Sequence, residues 1–264
     1  MLYFLLLITT GLLVSFLSGM LGISGGVILM PILVFIFAHT AQHTEIDAMH
    51  LAMNTSLLLV FINSLITVFE QFRKTPINTE LLFCILPGAL IGVLIGSELS
   101  HYLSTPHVMV ITSTVLVFLG LLTLYDFWAP KNRSENLSKT RLSLSGFCIG
   151  IPASFLGIGG GSLLVPVFSY QGVPLQRIIS TSAIFSLVTS FFTLALIAIS
   201  TLSHSKSITA PLTIINWYAV FGVLPLMPIG VRAGSQFLQY LPQRKAKLCL
   251  GALLVILGLS LLFN

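Results

Sequence analysis

The chain has 264 residues, 56% hydrophobic and 7% charged, with a mean hydropathy of +1.03, whereas a soluble domain is about a quarter charged. Water is therefore excluded as its main solvent, and several apolar stretches approach the roughly 20 residues that cross ~30 Å of hydrocarbon. The net charge of +5 does not indicate nucleic acid, because the 12 Lys and Arg lie scattered in short connections and form no basic face.

In chain order, Met1 to Met20 is apolar with no Lys or Arg before it, so it is expected to be a retained segment and not a cleaved signal. An apolar unit over 3–38 is interrupted by Gly22, Gly25 and Gly26, and its second arm is too short to cross a bilayer alone. Continuous spans are predicted over 50–69, 80–100 and 107–127. The hydrophilic stretch 129–141 reads as a cytoplasmic linker. A second interrupted unit, 142–170, carries Gly157, Gly159, Gly160 and Gly161 and precedes spans at 178–200, 212–236 and 245–263. Runs such as Leu57 to Ile62 and Leu253 to Leu262 lack the alternation of barrel strands, so the spans are helices. After each break the helix restarts either beside the glycines, with free N–H groups at its start, or at Pro31 and Pro166, since proline suits a first helical turn.

The chain repeats itself. An offset of 135 aligns Leu21-Gly22-Ile23-Ser24-Gly25-Gly26 with Leu156-Gly157-Ile158-Gly159-Gly160-Gly161, and Pro31 with Pro166. An offset of 126 aligns Thr55, Ser56, Asn63 and Thr67 with Thr181, Ser182, Thr189 and Thr193; an offset of 138 aligns Pro87 and Gly92 with Pro225 and Gly230. The expected architecture is an all-α integral membrane protein of two inverted repeats, 1–128 and 142–264. Each is a glycine-broken, re-entrant-like helix pair followed by three transmembrane helices. If each broken unit returns to its side of entry, eleven of the twelve basic residues face the cytoplasm and only Lys206 lies outside. Both termini are then expected outside, in a multi-pass protein of the cytoplasmic membrane.

Inverted repeats with broken helices bind substrate near the bilayer midplane, where the breaks meet. Gly22, Gly25, Gly26, Gly157, Gly159, Gly160 and Gly161 allow sharp turns and close ligand approach, and a helix start carries partial positive charge suited to an anion. The candidate binding residues are these, with Ser24, Thr55, Ser56, Asn63, Thr181, Ser182 and Thr189, whose hydroxyls and amide could donate to oxyanion oxygens. The alternatives are glycines that only permit close packing and polar groups that only bond between helices. No Asp or Glu lies in the middle of a predicted span, since Glu70, Glu80, Glu98 and Asp126 all fall near predicted ends, which disfavours a cation substrate and leaves a coupling ion, a proton included, without an assigned residue. Arg232, about a turn from the predicted end of its span, is expected to snorkel to the interface. His39, His43, His50, His101, His107 and His204 all fall on the predicted outer face, and their spacing forces no metal ligand set. Cys84, Cys148 and Cys249 sit singly in apolar runs and are expected to be core residues. No cofactor is expected; the partners are a small anion and the lipid bilayer.

The duplicated Leu-Gly-Ile-x-Gly-Gly units running to Pro31 and Pro166, with the pairs Thr55-Ser56 and Thr181-Ser182, resemble the TauE/SafE family of sulfite and organosulfur-anion exporters. That resemblance implies a membrane permease for anions such as sulfite or sulfoacetate. A passive anion channel uses similar groups, and a scaffold would leave the duplicated breaks unexplained. Gly22-Ile23-Ser24-Gly25 also looks like the nucleophile motif of rhomboid proteases, but a serine nucleophile needs a base, no histidine lies in the interior of a predicted span, and the second copy lacks the serine.

Overall fold

Apolar runs that cannot expose backbone polar groups to lipid must satisfy them internally, and the described residues contain helices and no strand. A computed structural model describes residues 2–39, 45–72, 79–100, 105–128, 138–155, 157–170, 173, 175–205 and 214–262. Most of the 129–141 linker, the predicted inward cations Arg73, Lys74, Lys131 and Arg133, the outward Lys206, and His43 and His101 lie outside the described residues.

The first half contributes α1 (Leu2–Leu21), α2 (Gly26–His39), α3 (Glu45–Phe72), α4 (Thr79–Ser100) and α5 (Thr105–Trp128). The second contributes α6 (Lys139–Phe155), α7 (Gly161–Tyr170), α8 (Leu175–Ser205), α9 (Trp217–Val223), α10 (Met227–Tyr240) and α11 (Gln243–Leu262). Five stretches are long and apolar enough to span a bilayer: Phe4–Leu21, Met49–Phe72, Thr79–Leu99, Arg177–Ser203 and Trp217–Tyr240. With the apolar composition, this makes the chain a multi-pass α-helical membrane protein. Exposed aromatics sit at helix ends, Tyr125 and Trp128 on α5, Tyr218 on α9 and Tyr240 on α10, as amphipathic rings do at membrane interfaces.

Several boundaries differ from the sequence expectations, each for a physical reason. The helices restart at Gly26 and Gly161, and Pro31 and Pro166 lie inside α2 and α7; the glycine turns themselves end the preceding helices. The predicted span 212–236 begins instead at Trp217, because Asn216 caps it, Oδ1 accepting from the Ala219 amide at 3.1 Å. It is also divided by a 3-10 turn, Leu224–Leu226, where Pro225 and Pro228 remove backbone donors. Since α10 runs on to Tyr240, Arg232 stands two turns inside the helix and not one turn from its end. α3 and α8 run to 28 and 31 residues, longer than their apolar centres. The cysteines need a second correction: Cys84 is half-buried, but Cys148 and Cys249 are exposed. In a bilayer the outward face of a helix is as apolar as the core, so an apolar run does not tell a packed position from a lipid-facing one.

The packing repeats when the halves are exchanged. α1 packs on α10 as α6 packs on α4; α2 on α3 as α7 on α8; α5 on α7 as α11 on α2; and α4 on α8 as α10 on α3. α3 with α8, and α5 with α11, pair a helix with its own counterpart. The α5–α11 seam sets Gly120 against Gly251 and Val255, and Gly258 against Ser113 and Val117, so these counterparts run antiparallel. The α1–α10 and α4–α6 seams are parallel: Gly19 meets Val231 where Gly11 meets Val223, and Gly96 meets Ile151 where Gly88 meets Ser143. At Gly88 an added Cβ would collide with the Ser143 carbonyl oxygen, so the helix axes approach as closely as small residues permit.

Candidate functional site

The two breaks face each other between α3 and α8. Their chain reversals need the left-handed backbone region, and Gly22, Gly25, Gly157, Gly159 and Gly160 adopt φ of +68°, +82°, +64°, +67° and +34°. Gly26 and Gly161, at the restarts, serve close approach: a Cβ on Gly26 would stand 2.7 Å from Ile158 Cα in the opposite turn, and one on Gly161 would run into Ser186 Oγ.

Three serine hydroxyls tie the halves together across this interface. Ser56 Oγ donates to Gly157 O at 3.0 Å, and its counterpart Ser182 Oγ donates to Gly22 O at 2.8 Å, a proton it shares with Ile179 O of its own helix at 2.8 Å. Because Gly22 and Gly157 are themselves counterparts, this is one interaction made twice, each half's long helix holding the other half's turn. Ser24 Oγ adds a third bond, to Ile158 O at 2.6 Å. It has no equivalent in the second half, where the aligned residue is Gly159. The Ser24 hydroxyl is thus held by a backbone carbonyl of the opposite turn.

The remaining candidates bond within their own helices or to other segments of the protein. Thr55 Oγ1 donates to Leu51 O at 2.6 Å and accepts from the Asn216 amide at 3.0 Å. Thr181 Oγ1 donates to Arg177 O, and Thr189 Oγ1 to Phe185 O, each at 2.8 Å. Asn63 Nδ2 donates to Ser18 Oγ at 2.7 Å and to Ser24 O at 3.3 Å, holding the first turn. All these polar side chains are buried, and the buried polar groups among the described residues are Ser, Thr, Asn63 and Gln71, with no charged side chain. Four of their atoms have no hydrogen-bond partner: Asn63 Oδ1, Ser64 Oγ, Ser162 Oγ and Ser186 Oγ. Reading for similarity between the halves passes over Ser162 and Ser186, because both stand where the halves differ; the first half has Val27 and Val60 there.

Two cavities lie along α3. One of about 500 Å³ is lined by Asn54 and Leu57 of α3, Leu94 and Glu98 of α4, Ser154 of α6 and Thr193 of α8, among others, with His50 also on its wall. The other, about 400 Å³, is lined by Ile66, Phe69 and Glu70 of α3 and by Pro228, Ile229 and Arg232 of α10. They occupy equivalent places: Glu70 and Arg232 in the smaller align with Leu196 and Leu94 in the larger. Among the described residues no group of His, Cys, Asp and Glu is placed to hold a metal ion.

The family model described as the sulfite exporter TauE/SafE matches residues 7–261. A probable membrane transporter protein of Methanocaldococcus jannaschii is 30% identical over 185 residues, 67% of this chain and 66% of that protein. One from Haemophilus influenzae is 33% identical over 179 residues, 66% of this chain and 64% of the relative. One from Bacillus subtilis is 20% identical over 281 aligned positions, which cover 99% and 98% of the two chains. No solved structure matches the chain. With nearly its whole length matched, the chain belongs to the TauE/SafE family of membrane transporters.

Proposed function

We propose that this protein carries small sulfur-containing oxyanions, of the sulfite or sulfoacetate kind, across the cytoplasmic membrane by alternating access. The observation that carries the reading is the crossed pair of serine bonds, Ser56 to Gly157 O and Ser182 to Gly22 O, together with two cavities at equivalent positions of the two halves. Glycine turns provide closely approachable backbone N–H groups, and an interior without buried carboxylates suits an anion.

The antiparallel course of α5 and α11 supports repeats inverted in the membrane. In that reading the 500 Å³ cavity, beside the end of α3 that carries His50, opens outward, and the Glu70–Arg232 cavity opens to the cytoplasm. Rocking one half against the other would then exchange which cavity reaches the turns. A permanently open channel is disfavoured, because the two turns are bonded across the interface between the halves.

The test is flux of labelled sulfite, sulfoacetate and thiosulfate into proteoliposomes holding the purified protein. Saturable flux of at least one, lost in Gly160→Val, is the expected result. No flux of any under several ion gradients would overturn the substrate class.

A further inference from the structure

The two turns are built alike but are not equipped alike. Ser162 and Ser186 are both 0% exposed, and neither hydroxyl has a partner. Such orphans are uncommon in folded proteins and costly where lipid excludes water. They are not typical of α8: Ser182, Thr189 and Ser190 all donate to carbonyl oxygens.

Both orphans belong to the start of α7, one on it and one packed against it. Ser162 is the second residue of the ten-residue α7. Ser186 Oγ stands against Gly161, its first residue, where a Cβ would strike it. Thr189 Oγ1 stands beside Gly160, 3.3 Å from where that residue's Cβ would be. The start of α7 thus combines a helix N-terminus, with its partial positive charge, and two buried hydroxyls free to donate.

The first turn offers the opposite chemistry. The counterparts of the two serines are Val27 and Val60. Asn63, the counterpart of Thr189, directs its amide N–H groups to Ser18 Oγ and Ser24 O, leaving Oδ1, an acceptor, without a partner. An unpaired acceptor repels an anion. From these contrasts we infer that the protein holds a single oxyanion, bound at the start of α7 by the hydroxyls of Ser162 and Ser186, and not a symmetric pair or one shared equally by both turns. Thr193, on the wall of the larger cavity, and Thr189 lie seven and three residues along α8 from Ser186, so the three share a helix face leading to the site.

This inference rests on the anion-transport reading, and the experiment separates the two. Sulfite is the probe, with intact protein in liposomes. Saturable sulfite flux by the parent protein is the first result expected; its absence counts against the transport reading and overturns the site assignment with it. With parent flux in hand, Ser162→Ala and Ser186→Ala are each expected to raise the half-saturating sulfite concentration about tenfold, as loss of one hydrogen bond to a charged group does. Their melting temperatures without anion should equal or exceed the parent's, because no protein hydrogen bond is lost. Ser182→Ala, which removes the bond to Gly22 O, should lower the melting temperature and so shows what a structural serine does. Unchanged half-saturation in both variants would overturn the inference, and so would a thermal loss like that of Ser182→Ala, because the hydroxyls would then be structural.

Discussion

Gly26→Ala tests the contact between the turns most sharply, because Gly26 is needed for space. An alanine Cβ there would stand 2.6 Å from Ile158 O, 2.7 Å from its Cα and 2.8 Å from its carbonyl carbon, whereas ordinary contact begins at 3.4 Å. All three obstacles are backbone, so no side-chain rotation relieves them. The opposing turn must retreat by about 0.8 Å, the difference between 3.4 and 2.6 Å. If the Ser24–Ile158 O bond lengthens by the same amount, its 2.6 Å becomes about 3.4 Å, at the edge of hydrogen bonding. Overpacking costs about 1–3 kcal/mol, and a bond within a membrane protein adds ~0.6 kcal/mol. Alanine's better helix propensity returns at most about 1 kcal/mol. The net expectation is a loss of roughly 0.6–2.6 kcal/mol, read by reversible unfolding in mixed micelles, together with loss of sulfite flux. Stability within about 0.5 kcal/mol of the parent, with flux intact, would refute the close contact.

Other predictions follow from the same geometry. Ser56→Ala and Ser182→Ala should each cost about 0.6–1.7 kcal/mol in the same unfolding assay, and the double variant about their sum, since the bonds share no atom. Cys148 and Cys249 should react with lipid-soluble maleimides and resist membrane-impermeant ones; rapid labelling by the impermeant reagent would place their helices outside the bilayer. Arg232→Gln should weaken sulfite binding from the cytoplasmic side several-fold and leave the opposite side unchanged, measured as half-saturation in oriented vesicles. Equal weakening on both sides would remove the cation from the inner cavity's role.

Local chemistry made part of this architecture legible in the sequence. The breaks were visible because chain reversal at Gly22, Gly25, Gly157, Gly159 and Gly160 uses backbone conformations that glycine adopts readily. Lipid solvation marked the apolar centres of the long helices but not their ends: α3 continues into Glu45 and α8 to Ser205, where polar residues are helical too. The serine latches were not legible as pairs, since Ser56, Ser24 and Ser182 reach partners 101, 134 and 160 residues away. The polar residues of α3 and α8 were visible, but not which of their hydroxyls turn back onto their own helix. Ser162 and Ser186 were hidden for a different reason: internal similarity draws attention to what the halves share, and these positions matter because the halves differ. A subtraction of one half from the other would have found them.

The central claim is that the two cavities are alternative entrances to one barrier made by the bonded turns. A cysteine-free background carrying Asn54→Cys in the larger cavity or Ile66→Cys in the smaller, labelled by an impermeant thiol reagent applied from either side with and without sulfite, tests it directly. The account predicts that sulfite shifts the two rates in opposite directions, one cavity closing as the other opens. Rates that rise together, or stay fixed while sulfite is moving, would contradict it.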